Sequence, residues 1–250
     1  NIIYNLSIIN ADAFAIGTVG KDAAPYLEWM KKNNIDTSYI RTIDDSYTAQ
    51  AYITTDQNAN QITTFHPGAM QFSNQIDIPN DQSINLGLIS PDGREGMLTH
   101  TKQLIEMNIP YIFDPGQGMP MFNKDELKFF SDNSMWIVMN DYEFKMYNEI
   151  TGLSVKDLVE TNKTIIITNG EKGSKIFSPE QELSIPTPKV NEPKDPTGCG
   201  DAYRAGMIYG ISKNMSLEKI GELSSKLGAI KVKTFGTQNH QITEEIKKLL

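Results

Sequence analysis

The 250 residues are 39% hydrophobic and 22% charged, enough for one large α/β domain with a substantial core, and no stretch approaches the roughly 20 apolar residues of a membrane helix. A net charge of −8 and a pI near 5.0, with basic residues dispersed, argue against nucleic acid as the main partner. A single cysteine excludes a disulfide framework and a cysteine-based metal site, so a soluble, cytoplasmic protein is expected.

Residues 1–9 read as a helix without a secretory signal pattern. The chain starts at Asn1 rather than methionine, so earlier residues are expected to be missing. Ala13-Phe14-Ala15-Ile16-Gly17-Thr18-Val19-Gly20 reads as a short buried strand. A helix follows at 24–32, with Tyr26, Leu27 and Met30 inward and Pro25 in its first turn, where the missing N–H costs nothing.

The segment 35–70 changes character. Three runs rich in β-branched and aromatic residues, at 39–41, 48–55 and 61–65, are separated by Asp44-Asp45-Ser46 and Asp56-Gln57-Asn58-Ala59-Asn60, which are turn chemistry. A small hairpin sheet with one wet face is expected there. The remaining residues, 1–34 and 71–250, form the expected α/β core.

From Leu86 the rhythm alternates strand and helix, which implies parallel pairing with crossover helices. The expected strands are 86–89, 111–114, 135–139 and 164–168. Ligands of such sheets bind beyond the carboxyl ends of the strands, so the residues there carry the functional interest. Asp114-Pro115-Gly116-Gln117 reads first as turn geometry. Asn140-Asp141-Tyr142-Glu143 reads, taken alone, as a helix capping box. Thr168-Asn169-Gly170-Glu171-Lys172-Gly173 is a glycine turn.

The most informative run is Asp195-Pro196-Thr197-Gly198-Cys199-Gly200-Asp201-Ala202-Tyr203-Arg204-Ala205-Gly206. Pro196 excludes helix before the turn, and Ala202, Ala205, Gly206 and Tyr209 recur at helical spacing after it. A helix therefore starts at or just after Gly200, with unpaired amides and the positive dipole end at the turn. Asp201 sits where that anion site opens and, on these residues alone, reads as a cap or dipole partner for the helix. Cys199 is a size choice rather than a nucleophile, with no histidine near it in sequence.

That run resembles the C-terminal signature of the ribokinase-like (PfkB) family of sugar and nucleoside kinases, and is most similar to its bacterial adenosine-kinase branch. The Asn140/Glu143 and Thr168–Gly173 segments match two further family motifs, in the family's order, over about 60 residues. The resemblance implies an α/β ribokinase-like fold with a mostly parallel central sheet, helices on both faces, and residues 35–70 as a small β lid. It implies an ATP-dependent kinase acting on a primary hydroxyl, with adenosine as the expected acceptor. A ribose- or fructose-type sugar, or a silent nucleotide- or sugar-binding protein on the same scaffold, are the alternatives.

Residue by residue, the resemblance makes Asp201 the base and the amides of Gly198, Cys199 and Gly200 the anion hole. Asn140, Glu143, Thr168, Gly170 and Gly173 fall beside ATP, with Asn140 and Glu143 organising Mg²⁺. Asp195 and Thr197, with carbonyls of 231–236, would bind K⁺. Phe65 and Met70 would flank a purine, Gln117 would contact the acceptor, and Asn1 belongs to the segment that follows the family's acceptor-binding strand. A homodimer through the lid is compatible with it. No Walker lysine motif, HExxH, zinc spacing or repeat is present.

Overall fold

The computed structural model describes residues 1–55 and 61–250. The turn expected at Asp56-Gln57-Asn58-Ala59-Asn60 lies outside the described residues. The chain opens with α1 (Ile2–Ile8), β1 (Gly17–Gly20), α2 (Ala24–Lys32), β2 (Ile40–Ile43), β3 (Gln50–Thr55) and β4 (Gln61–His66). An alternating series follows: β5 (Gly87–Ile89), α3 (Arg94–Glu106), β6 (Tyr111–Phe113), α4 (Lys124–Asn133), β7 (Trp136–Asn140), α5 (Asp141–Thr151), α6 (Val155–Glu160) and β8 (Thr164–Thr168). The strands β9 (Ser174–Phe177) and β10 (Glu182–Ile185) and the helices α7 (Cys199–Ser212), α8 (Leu217–Lys231) and α9 (Glu244–Lys247) complete it.

Contacts divide the chain into two units, 1–13, 81–91 and 104–250 in one, and 14–80 and 92–103 in the other. The first holds a six-stranded sheet in the order β10-β9-β8-β7-β6-β5. Strands β5 to β8 are parallel, as crossover helices require, and β9 and β10 extend the edge antiparallel. These two strands were not expected from the sequence, because each is four residues long and only partly buried.

Alternation along β6 sends side chains to both faces of the sheet. Ile112 joins Val138, Ile166 and Ile176 against Tyr203 and Met207 of α7 and Ile220 of α8. Its neighbours go the other way: Phe113 stacks on Phe130 of α4 with centroids 4.9 Å apart, and the Tyr111 hydroxyl donates to the Phe130 carbonyl at 2.6 Å. Helices therefore cover both faces, as expected.

The expected helix face Ala202, Ala205 and Tyr209 is buried, packed with Leu6, Ile9, Leu223 and Leu227. A Cβ on Gly206 would come within 2.7 Å of the Ser224 Cα, so only glycine allows α7 and α8 to cross this closely. This packing fixes α1 beside α7 and carries Asn1 to the start of α7.

In the second unit β1 pairs parallel with β2, from Gly17↔Ile40 to Gly20↔Ile43, so the segment carrying β1 and α2 clusters with β2. β3 and β4 form an antiparallel hairpin from Gln50↔His66 to Thr55↔Gln61. The helical turn Gly68–Gln75 is tied to β1 and β2 by Thr18 Oγ1 donating to the Ala69 carbonyl at 2.6 Å and Arg41 Nη1 to the Gln75 carbonyl at 2.9 Å.

Two expectations are corrected here. Tyr26 is 42% exposed and stacks on Trp29 at the surface, leaving Met30 as the buried residue of α2. The hairpin has two wet faces rather than one, since the adjacent residues Tyr52 and Ile53 are 60% and 52% exposed.

Candidate active site

The site is built where the carboxyl ends of β6, β7 and β8 meet the start of α7. Asp114 follows β6, its amide continuing the ladder to the Ile89 carbonyl at 2.8 Å and its side chain 2% exposed. Opposite it, Arg204 is buried among the small and apolar residues Ala202, Ala205, Gly206 and Met207 of α7. The pair is bidentate: Arg204 Nη2 donates to Asp114 Oδ1 at 2.6 Å and Nε to Oδ2. Ser90 Oγ adds a bond to Oδ2 at 3.2 Å.

Burial alone would lower the Arg204 pKa, but the charge and hydrogen bonds of Asp114 outweigh it and raise it. Arg204 also donates from Nη1 to the Gly200 carbonyl at 3.2 Å and lies 3.7 Å from Glu143 Oε2. One guanidinium thus ties the ends of β6 and β7 to the glycine turn.

The turn itself folds as its residues dictate. Gly198 caps α7 with φ 84°, and a Cβ there would approach Thr237 to 3.1 Å. The Cys199 amide donates to the Pro196 carbonyl at 3.1 Å, and the Ala202 amide is the first to bond within the helix, to Gly198 O at 3.0 Å. The Gly200 and Asp201 amides have no acceptor among the described residues. Burial raises the Cys199 thiol pKa, which removes the case for an activated nucleophile.

Asp201, in the first turn of α7, accepts a hydrogen bond on Oδ2 from Asn1 Nδ2 at 2.7 Å. Asn1 Oδ1 accepts in turn from Gln238 Nε2 at 3.2 Å. Two residues distant from it in sequence, Asn1 directly and Gln238 through Asn1, thereby orient this carboxylate.

Asn140 and Glu143 form the capping box in full. Asn140 Oδ1 accepts from the Glu143 amide and Glu143 Oε2 from the Asn140 amide, both at 2.7 Å. Burial raises the Glu143 pKa, opposed by the Asn140 amide and Arg204. At the end of β8, Thr168 Oγ1 donates to the Met139 carbonyl at 3.5 Å. The turn beyond it has positive φ at Gly170 (50°) and Gly173 (96°), and a Cβ on Gly173 would meet the Ile185 carbonyl oxygen at 2.1 Å.

Asp195 Oδ1 accepts from the Thr197 amide and Oδ2 from the Gly236 amide, both at 2.9 Å. These bonds, led by those from Thr197, lower its pKa. Its carbonyl accepts from Lys231 Nζ at 2.8 Å, so a lysine ammonium sits among the oxygens expected to hold K⁺. The residues present do not fit that ion.

Gln117 is exposed on the helical turn Gly116–Met121 beyond β6. Phe65 and Met70 belong to the second unit, Phe65 exposed in β4 and Met70 half-buried in Gly68–Gln75. Among the described residues no cluster of three His, Cys, Asp or Glu could hold a metal. Asn140 and Glu143 offer one amide and one carboxylate, a donor set compatible with an ion such as Mg²⁺ that keeps several waters and takes one or two carboxylates together with substrate phosphates. A cavity of about 480 Å³ lined by Leu86, Pro110, Met135, Trp136 and Ile211 lies at the opposite, amino-terminal ends of β5 to β7, away from this chemistry.

Sequence reasoning gave Asp114 only a turn role, and gave the side chains of Arg204, Lys231 and Gln238 none. A detectable signal existed for two of them. Arg204 interrupts an unbroken small and apolar helix face, and Lys231 ends the Leu227-Gly228-Ala229-Ile230 run of α8.

The model of the pfkB family of carbohydrate kinases matches residues 1–244. The nucleoside kinase of Methanocaldococcus jannaschii is 28% identical over 99% of this chain and 84% of its own length. The structure of Burkholderia thailandensis nucleoside kinase in complex with inosine superposes with a TM-score of 0.94 at 39% identity, covering 99% of this chain and 82% of that one. The same protein in complex with ADP-inosine gives a TM-score of 0.93 at 40% identity, over 99% and 78%. The fold is ribokinase-like.

Proposed function

The chain belongs to the pfkB family of carbohydrate kinases and is a phosphotransferase acting on hydroxyl groups, and from that premise we propose an ATP-dependent purine nucleoside kinase, with adenosine the expected acceptor and inosine its first competitor. The inosine complexes of the Burkholderia relative support a purine nucleoside.

The observation that carries the mechanism is Asp201 in the first turn of α7 beside the unpaired amides of Gly200 and Asp201. Bound ATP supplies the phosphoryl group. Asp201 accepts the proton of the attacking hydroxyl as the new O–P bond forms and the bond from the γ-phosphorus to its bridging oxygen breaks, releasing ADP, and the Asn1 amide holds the carboxylate for that transfer. The helix N-terminus offers N–H donors where negative charge gathers on the phosphoryl oxygens. Arg204 holds the Gly200 carbonyl, and so fixes the direction of the turn. Asn140 and Glu143 are the residues that would hold Mg²⁺, through waters and phosphate oxygens.

The test is a panel of adenosine, inosine, ribose and fructose with Mg-ATP. Phosphorylation of the nucleosides with Asp201-dependent turnover is expected. Activity confined to the free sugars would overturn the acceptor assignment, and absence of activity on all four would remove the kinase reading.

A further inference from the structure

Lys231 is the last residue of α8 and is fully buried. Its Nζ donates to the Asp195 carbonyl at 2.8 Å and to the Thr234 carbonyl at 3.3 Å, and lies 3.8 Å from Asp195 Oδ2. Burying an ammonium is costly unless it is paired and hydrogen-bonded, and an apolar side chain of similar length would fill the same volume without that cost. What the charge supplies is specific: it binds main-chain oxygens from two separate segments.

Those segments matter. The Asp195 amide donates to the Val232 carbonyl at 3.2 Å, the Lys194 amide donates to the same carbonyl at 2.7 Å, and the Gly236 amide donates to the Asp195 carboxylate. Thr237 packs within 3.1 Å of where a Gly198 Cβ would stand. The 231–237 turn is thus the wall against which the Gly198–Cys199–Gly200 turn is shaped. Carbonyl oxygens from two segments with one carboxylate nearby are the oxygen set of a hard monovalent cation, and the end of α8 adds the negative pole of its dipole.

We propose that Lys231 is a built-in cation: its tethered ammonium replaces a free monovalent ion between the Asp195 and Thr234 carbonyls and makes the shape of the anion-binding turn independent of K⁺. Lys231 touches no reacting atom and is a positioning residue. The proposal uses the kinase reading only for a turnover assay, so a second readout stands without it.

The experiment compares the wild-type chain with Lys231→Met and Lys231→Arg in tetramethylammonium, Na⁺, K⁺ and NH₄⁺ chlorides at constant ionic strength. Thermal unfolding is followed first. The wild-type midpoint is expected to be the same in all four salts, whereas the Met variant is selectively raised by K⁺ and NH₄⁺ over tetramethylammonium. In turnover, the Met variant is expected to lose about 10- to 100-fold in tetramethylammonium, the usual loss when an orienting partner of a site is removed, and to recover most of it in K⁺ or NH₄⁺. The Arg variant, which keeps the charge, should stay insensitive to the choice of cation.

A wild-type enzyme or midpoint selectively raised by K⁺ would overturn the proposal, and needs no variant to fold. So would a folded Met variant that remains fully active in tetramethylammonium, or one that no cation rescues. A flat wild-type midpoint with a K⁺-responsive Met variant would support it even if the acceptor assignment fails.

Discussion

Asn1 donates its side-chain amide to the Asp201 carboxylate at 2.7 Å, across 200 positions of sequence. The contact exists because α1 packs on α7 through Leu6, Ile9, Ala205 and Tyr209, which brings the first residue of the chain to the first turn of the second-last long helix. A carboxylate held by one neutral donor keeps its second oxygen available, as the proposed role of Asp201 as base requires.

Replacing Asp201 by Asn is expected to lower turnover by roughly 10²- to 10⁴-fold, the usual worth of a positioned general base. Nucleotide affinity and thermal stability should change little, since the residue is only half-buried. Steady-state kinetics with parallel calorimetry of ATP binding checks this, and a variant that keeps most of its turnover would remove Asp201 from the role.

Arg204→Met leaves Asp114 buried and unpaired, and is expected to cost about 3–5 kcal/mol in urea unfolding. The double variant Arg204→Met with Asp114→Leu should recover much of that, because both buried charges leave together. Equal losses in the single and double variants would show that the guanidinium acts through packing alone.

Among the glycines of the β8–β9 turn, Gly173→Ala should be far more damaging than Gly170→Ala. Both have positive φ, which costs a side chain about 1–2 kcal/mol. At Gly170 the space is open, whereas at Gly173 the new Cβ would meet the Ile185 carbonyl oxygen at 2.1 Å, forcing β9 and β10 apart. Comparable midpoints for the two variants would contradict this.

His240 sets an acid dependence. It is 1% exposed, its Nε2 shares a 2.7 Å hydrogen bond with Asn5 Oδ1, and its Nδ1 has no partner among the described residues. Burial, reinforced by the charge of Lys231, lowers its pKa from 6.5 to about 4. The unfolded chain therefore binds the proton first, so this contribution to stability is complete above pH 6.5 and is lost as pH falls toward 4, at up to about 1.4 kcal/mol per unit. Unfolding measured against pH should show this slope in the wild type and a shallower one in His240→Gln. Carboxylates with lowered pKa, such as Asp195, act below that window, near and under 3.8.

What the sequence determined by itself was local. The strand-helix rhythm from Leu86 specified a parallel sheet, because crossover connections leave no other pairing, and Pro196, Gly198 and the spacing of Ala202, Ala205 and Tyr209 specified a helix whose first amides are free. Asn140 and Glu143 were legible as a capping pair because their partners are three residues apart. Only the tertiary structure decided the rest. Asp114 reads as turn chemistry until Arg204, 90 positions away, is packed against it, and Asn1, itself bonded to Gln238, reaches Asp201 only through the docking of α1. Lys231 carries the same lesson: a lysine at a helix end reads as a solvated charge, and its ammonium is committed to the Asp195 and Thr234 carbonyls because the fold closes over it and removes it from bulk solvent.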